Sequence, residues 1–176
     1  MIKFVKRQDL IVSKYDACIE NSIQSNIYGF SWYLDIVADN WAVLVFDDYK
    51  AVMPIPWKRK YLIKYSTQPF FCQQLGVFST QKLTKELQQN FIKSIPVKFL
   101  KVSLNFNSAM FFDNKFIKRK NYILKLNDSH SNLFKSFSKG RKHAVKVGQK
   151  KGLYSKKTSI ASLIKMQEEF YSYTNY

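Results

Sequence analysis

The side chains with the most evident chemical reach in this sequence are cations. Between residues 129 and 167 there is no acidic residue, while Lys135, Lys139, Arg141, Lys142, Lys146 and Lys150 all fall within that stretch. Read as one helix over 132–151, at about 100° per residue, Leu133, Phe137, Gly140, Ala144 and Val147 line one side and the five lysines line the other. A row of that kind can neutralise phosphates, although a solvated helix face is the plainer meaning of such a run. Arg141 falls off the row, at an angle between Phe134 and Val145. A guanidinium on the apolar side needs an anion or a carbonyl, and its planar fork can give two parallel hydrogen bonds to one anion. Arg141 is therefore expected to be less exposed than Lys139 or Lys142.

A second grouping is aromatic and polar. Trp57 and Arg59 sit in the run WKR at 57–59, and Gln73 and Gln74 follow Phe70 and Phe71. With Tyr28, Trp32 and Tyr33 they could line a cleft in which the amides hold a substrate, although aromatic-rich strands and helices are usually core. Trp57, Arg59, Gln73 and Gln74 join Arg141, Lys135, Lys139, Lys142 and Lys146 as substrate-binding candidates.

Self-sufficient catalytic chemistry is not legible. His130 and His143 have no cysteine or carboxylate at metal-ligand spacing, and there is neither a glycine-rich phosphate loop nor a serine in a nucleophile elbow. Asp47 and Asp48 are adjacent, so in a strand they would face opposite ways, and a hairpin turn explains them. Cys18 and Cys72 read as two reduced, buried thiols. No catalytic residue, metal site or bound cofactor is assigned to this chain.

The elements that must position these residues come from a chain of 176 residues, 46% hydrophobic and 16% aromatic, which is the makeup of a packed globule. The net charge of +17 favours anionic partners such as tRNA, other nucleic acid, phosphorylated cofactors or anionic lipid head groups. The longest nearby apolar stretch, 41–46, is far short of the roughly 20 residues that span a bilayer. No transmembrane segment or signal peptide is read, and a cytoplasmic location is expected.

Hydrophobic periodicity predicts a strand at 4–6 and a helix over 12–22, with Asp9 or Ser13 as cap. Ser31 is the expected N-cap of a short helix at 32–38, with Trp32 and Ile36, and Tyr33 and Val37, as (i, i+4) pairs. A hairpin of 41–46 with 51–53 is the firmest strand pair, and Pro54 and Pro56 require an edge, a bulge or a splayed end just after it. Further strands are read at 61–65, 69–78, 99–105 and 121–126. A helix capped by Ser79 or Thr80 carries Leu83, Leu87, Phe91 and Ile95 before Pro96 stops it. Composition changes near Asn127 and Asp128.

One resemblance attaches to these segments. Residues 132–153, NLFKSFSKGRKHAVKVGQKKGL, resemble the helix of the Fem-type aminoacyltransferases, in which an arginine and a basic, alanine-containing helix lead through glycine into a new strand and helix. The order SWYLD at 31–35, WAVLVFDD at 41–48 and AVMPIPW at 51–57 is similar to the first domain of that group. The resemblance implies an α+β, GNAT-like first domain over 1–127, with a mixed, mainly antiparallel sheet flanked by helices. Residues 128–176 would be a basic helix and the truncated start of a second such domain. It also implies transfer of an acyl or aminoacyl unit to an amine, with acyl-CoA or aminoacyl-tRNA as donor and a phosphorylated cell-envelope precursor among the anionic partners. Peripheral membrane contact would accompany such a precursor. The pyrophosphate-binding turn of ordinary GNAT enzymes is missing, so this portion alone is expected to be inactive. The alternative is a non-catalytic basic module that binds RNA or another anionic partner through the lysine row.

Overall fold

The computed structural model describes residues 1–112, 116–124 and 126–172. The chain divides into two compact units, Met1–Lys118 and Arg119–Tyr176.

The first unit is α+β, built on one six-stranded sheet. Strands β1 (Ile2–Lys6), β2 (Asn40–Phe46), β3 (Ala51–Lys60) and β4 (Ile63–Thr67) follow one another antiparallel, and β6 (Phe99–Ser103) adds to β4 in parallel. The two-residue β5 (Phe78–Ser79) pairs with the start of β3. The expected hairpin is present: Phe46 lies opposite Ala51 and Leu44 opposite Met53. Its turn holds Asp47 and Tyr49 at φ of 53° and 60°. Asp47 meets Lys50 at 2.7 Å and Asp48 meets Lys14 at 2.8 Å, so the adjacent aspartates are turn residues, each with its own cation.

Pro54 and Pro56 lie where β3 changes partner. On the side away from β2, residues 51–52 pair with β5 and 57–60 with β4, which leaves the prolines between those two partners, while β2 runs opposite both. The Ser66 hydroxyl donates to the Pro56 carbonyl at 2.8 Å and satisfies the acceptor there.

Alternation along the strands loads both faces of the sheet. One face sets Trp41, Val43, Val45 and Val52 against α1 (Val12–Glu20) and α2 (Ser31–Val37), which contribute Tyr15, Cys18, Ile19 and Leu34. The other sets Leu44, Met53 and Ile55 against Leu83, Leu87, Phe91 and Ile95 in and around α3 (Lys85–Lys93).

The caps differ from those predicted. Thr84, not Ser79 or Thr80, caps α3, its Oγ1 accepting from the Leu87 amide at 3.1 Å. Helix α1 starts after Ile11, whose amide donates to the Tyr49 hydroxyl at 3.0 Å. Ser31 is the first residue of α2 rather than its cap. Asp16 of α1 does the capping from outside, accepting from the Ser31 amide at 2.8 Å and its hydroxyl at 2.6 Å. A carboxylate at a helix N-terminus meets both the free N–H groups and the positive end of the dipole. Trp32 and Ile36 are both exposed, Trp32 lying edge to face against Tyr33.

Residues 69–78 are not the strand their apolar content suggests. A turn closed from the Cys72 amide to the Pro69 carbonyl puts Phe71 at φ 59°, and before Phe78 enters β5 Leu75 makes an isolated parallel bridge to Phe106. Side chains fasten the rest: Gln68 donates to the Cys72 carbonyl and accepts from the Asn105 amide.

In the second unit, the helix expected over 132–151 is two helices, α4 (His130–Ser136) and α5 (Lys139–Lys150). Ser138 causes the break, because its Oγ accepts from the Arg141 amide at 3.3 Å and starts α5 anew. A third helix, α6, spans Ile160–Ser172. Residues 121–124 and 126 form no strand. No described residue of this unit is buried. Among the described residues no helix is long and apolar enough to cross a membrane.

Candidate anion-binding cleft

Helix α3 covers only part of its face of the sheet. Beyond it lies a cleft of about 520 Å³. Its floor is aromatic: Phe4 from β1, Trp57 from β3 and Phe99 from β6, with ring centroids 6.3 Å apart for Phe4 and Phe99 and for Trp57 and Phe99. In a flat sheet, β1 and β6 would lie ~19 Å apart, given strands about 4.8 Å from their neighbours. The sheet must therefore curl for its two edges to meet across the cleft.

Cations line this floor. Lys98 Nζ sits 4.1 Å from the Phe4 centroid and 5.5 Å from that of Phe99, and Lys64 Nζ sits 4.8 Å from Trp57. Lys6 completes the group at the end of β1. None of the three has a carboxylate partner among the described residues. Burial of its charged end, and then the fields of Lys64 and Lys6, hold the Lys98 ammonium below the usual lysine range. The register adds a further conflict, since Arg59 on β3 lies directly opposite Lys64 on β4. Like charges in a cross-strand pair weaken a sheet, so stability alone gives no reason to place them together.

The acidic groups nearby are already committed. Asp35 takes a two-pronged hydrogen bond from Arg7, Nε and Nη2 each at 2.8 Å, and a third from Trp41 Nε1 at 2.9 Å. The Arg7 hydrogen bond is the main reason its carboxyl lies below the usual carboxylate range. Asp39 pairs with Lys58 at 3.1 Å. Both aspartates line the cleft, each paired with a cation. The thiols offer no nucleophile, as burial pushes Cys18 up to about 11 and Cys72 up to about 12. Among the described residues no group of three His, Cys, Asp or Glu side chains could hold a metal ion. The arrangement offers cations and flat rings to an anion carrying a flat or apolar portion.

The sequence-predicted residues are dispersed. Trp57 lines this cleft, and Arg59 stands exposed beside it, its Nε donating to the Tyr61 carbonyl at 2.9 Å. Gln73 is exposed and Gln74 half-buried, and neither lines it. Tyr28, Tyr33 and Trp32 pack edge to face with one another on the opposite side of the sheet from Trp57, and the Tyr33 hydroxyl donates to the Phe71 carbonyl.

The lysine row is interrupted. Lys135 belongs to α4, while Lys139, Lys142 and Lys146 belong to α5. Lys142 Nζ donates to the Lys135 carbonyl at 2.7 Å, which closes the C-terminal end of α4. That makes Lys142 half-buried, whereas Arg141 is exposed, the reverse of the predicted order. The break at Ser138 changes the helical phase on which that order was based. The Arg141 guanidinium stands 6.0 Å from the Phe137 ring and borders a shallow recess with Ser138, Ala144 and Val145.

Sequence reasoning missed Lys6, Lys64, Lys98, Phe4 and Phe99. The spacing of Phe4 and Lys6 on one face of β1 was readable, but nothing local announces that β6 lies beside β4. Comparison with family models, curated proteins and solved structures finds no match.

Proposed function

We propose that the cleft floored by Phe4, Trp57 and Phe99 binds a phosphorylated ligand that carries a planar or acyl portion. In this reading the protein is the binding portion of an acyl- or aminoacyl-transferase-like system that acts on an amine acceptor, on a GNAT-like scaffold. Acyl-CoA and aminoacyl-tRNA are the donor classes, and a phosphorylated envelope precursor is the acceptor class. The observation that carries the ligand class is the placing of Lys64 and Lys98 over aromatic rings with no carboxylate partner among the described residues. An ammonium held this way keeps its charge for a ligand, and the rings give an apolar group a surface to lie on. The transfer chemistry itself rests on the resemblance.

The test is equilibrium binding of pyrophosphate, an acyl-CoA and an aminoacyl-tRNA to the chain and to a Lys64→Met, Lys98→Met variant. The donor should bind at least tenfold more weakly to the variant, with pyrophosphate affected in the same direction. Unchanged affinity for all three would refute the cleft as the site.

A second reading places RNA on the lysines of α4 and α5. It is supported by Lys135, Lys139 and Lys146, which are exposed in a stretch with no acidic residue. On that reading the salt dependence of RNA binding should flatten when these three are replaced by Gln.

A further inference from the structure

The hairpin joining β3 to β4 ends in a turn whose composition serves no purpose inside the fold. Tyr61 and Leu62 occupy its tip at 86% and 83% exposure, and Ile63 beside them is half exposed. Tyr61 has φ 54°, a left-handed conformation that an asparagine or glycine would adopt at less cost. Thus the turn retains a strained aromatic residue and keeps two large apolar side chains in water. Strand β6 begins alongside, with Phe99 opposite Lys64, and Val97 just before it and Leu100 within it are exposed as well.

Cations surround this apolar tip. Arg59, Lys60 and Lys64 flank it on the hairpin, with Lys98 just before β6 and Lys101 within it. None of the five forms an ion pair among the described residues.

We infer that this corner of the sheet is a docking surface for an anionic lipid bilayer, with Tyr61 and Leu62 entering the headgroup region and the surrounding cations meeting lipid phosphates. Three features favour a bilayer over other occupants. A two-residue tip is far too small to supply the ~800 Å² per partner of a stable protein interface. Tyr61 is the one ring of the patch on which a base could stack, whereas acyl chains accept all of Leu62, Ile63, Val97 and Leu100. Tyrosine with flanking lysine and arginine is the composition that settles at a membrane–water interface. This inference shares Lys64 and Lys98 with the cleft but rests on the exposed apolar tip, which does not line it.

A protein of net charge +17 will adhere to any anionic vesicle, so the test must separate insertion from attraction. The two native thiols are buried, which lets a polarity-sensitive dye be attached selectively at Leu62→Cys. Vesicles of phosphatidylcholine with phosphatidylglycerol should shift its emission to the blue, and vesicles of phosphatidylcholine alone should not. In co-sedimentation, Tyr61→Asn with Leu62→Ser should lower partitioning onto the anionic vesicles about tenfold at unchanged charge, and Tyr61→Asn is compatible with the φ of that position. Replacing Lys139 and Lys146 by Gln should matter less. A dye that stays in water on anionic vesicles, or equal partitioning of the Tyr61, Leu62 variant, overturns the inference. A blue shift produced by single-stranded RNA or by raising the protein concentration alone would also overturn it, assigning the corner to RNA or to a second copy of the chain.

Discussion

Phe4 and Phe99 come from opposite ends of the strand order β1-β2-β3-β4-β6, yet their rings lie 6.3 Å apart at a tilt of 53°. This contact closes the curl of the sheet and forms the cleft floor. A double-mutant cycle with Phe4→Leu and Phe99→Leu should return a coupling energy of about 0.5–1.5 kcal/mol, the range for tilted aromatic pairs. Strict additivity in urea unfolding would mean that the edges meet without holding each other.

Gly29 is a site where one carbon should matter. A Cβ there would meet Phe78 Cζ at 2.8 Å and Ile19 Cδ1 at 3.2 Å, and both of those side chains are fully buried. The Gly29 carbonyl also accepts from the Tyr15 hydroxyl at 2.6 Å, so the backbone has little freedom to retreat. Gly29→Ala should destabilise by about 1–3 kcal/mol, read as a lower urea midpoint at unchanged slope. A neutral effect would show that Phe78 can move aside.

Much of the first unit was open to reading because its signals are local. The run at 41–46 is apolar on both faces and belongs to an interior strand, and the (i, i+4) spacing of Leu83, Leu87, Phe91 and Ile95 marks the face of α3 on the sheet. Prolines at 54 and 56 signalled an edge, a bulge or a splayed end, and the structure has there a gap between the partners β5 and β4. What stayed hidden depended on distant partners or on competition with a serine. Nothing around Asp16 indicates that it caps a helix starting at Ser31, and no spacing rule brings Lys98 over Phe4. The row of lysines in 132–151 looked continuous because periodicity does not register Ser138 claiming the Arg141 amide. Of the residues that line the cleft, Trp57 alone was among the sequence candidates, and Lys6, Lys64 and Lys98 were not.

Acid should release the bond between Arg7 and Asp35. The folded carboxyl titrates below its unfolded value, chiefly because of the Arg7 hydrogen bond. Its contribution is therefore present above the unfolded value and is lost as the pH falls through the folded one, which means below about pH 4. Both side chains are more than a third exposed, at 36% and 40%, so solvent screening keeps the effect within about 1 kcal/mol. Wild type should exceed Asp35→Asn in stability at pH 6, and the gap should narrow as the pH drops below about 4. A gap constant with pH would mean that the Trp41 contact, rather than the ion pair, accounts for Asp35.

Chemical footprinting of lysines tests the binding reading most directly, because it reports each ammonium separately in the intact chain. Lys98 should be modified by an acylating reagent faster than an ordinary exposed lysine, since its lowered pKa leaves more free amine at a given pH. Acyl-CoA should then protect Lys98, Lys64 and Lys6, while Lys139 and Lys146 keep their reactivity. Protection confined to Lys135, Lys139 and Lys146, with Lys64 and Lys98 untouched, would contradict the account and move the anion site to the second unit.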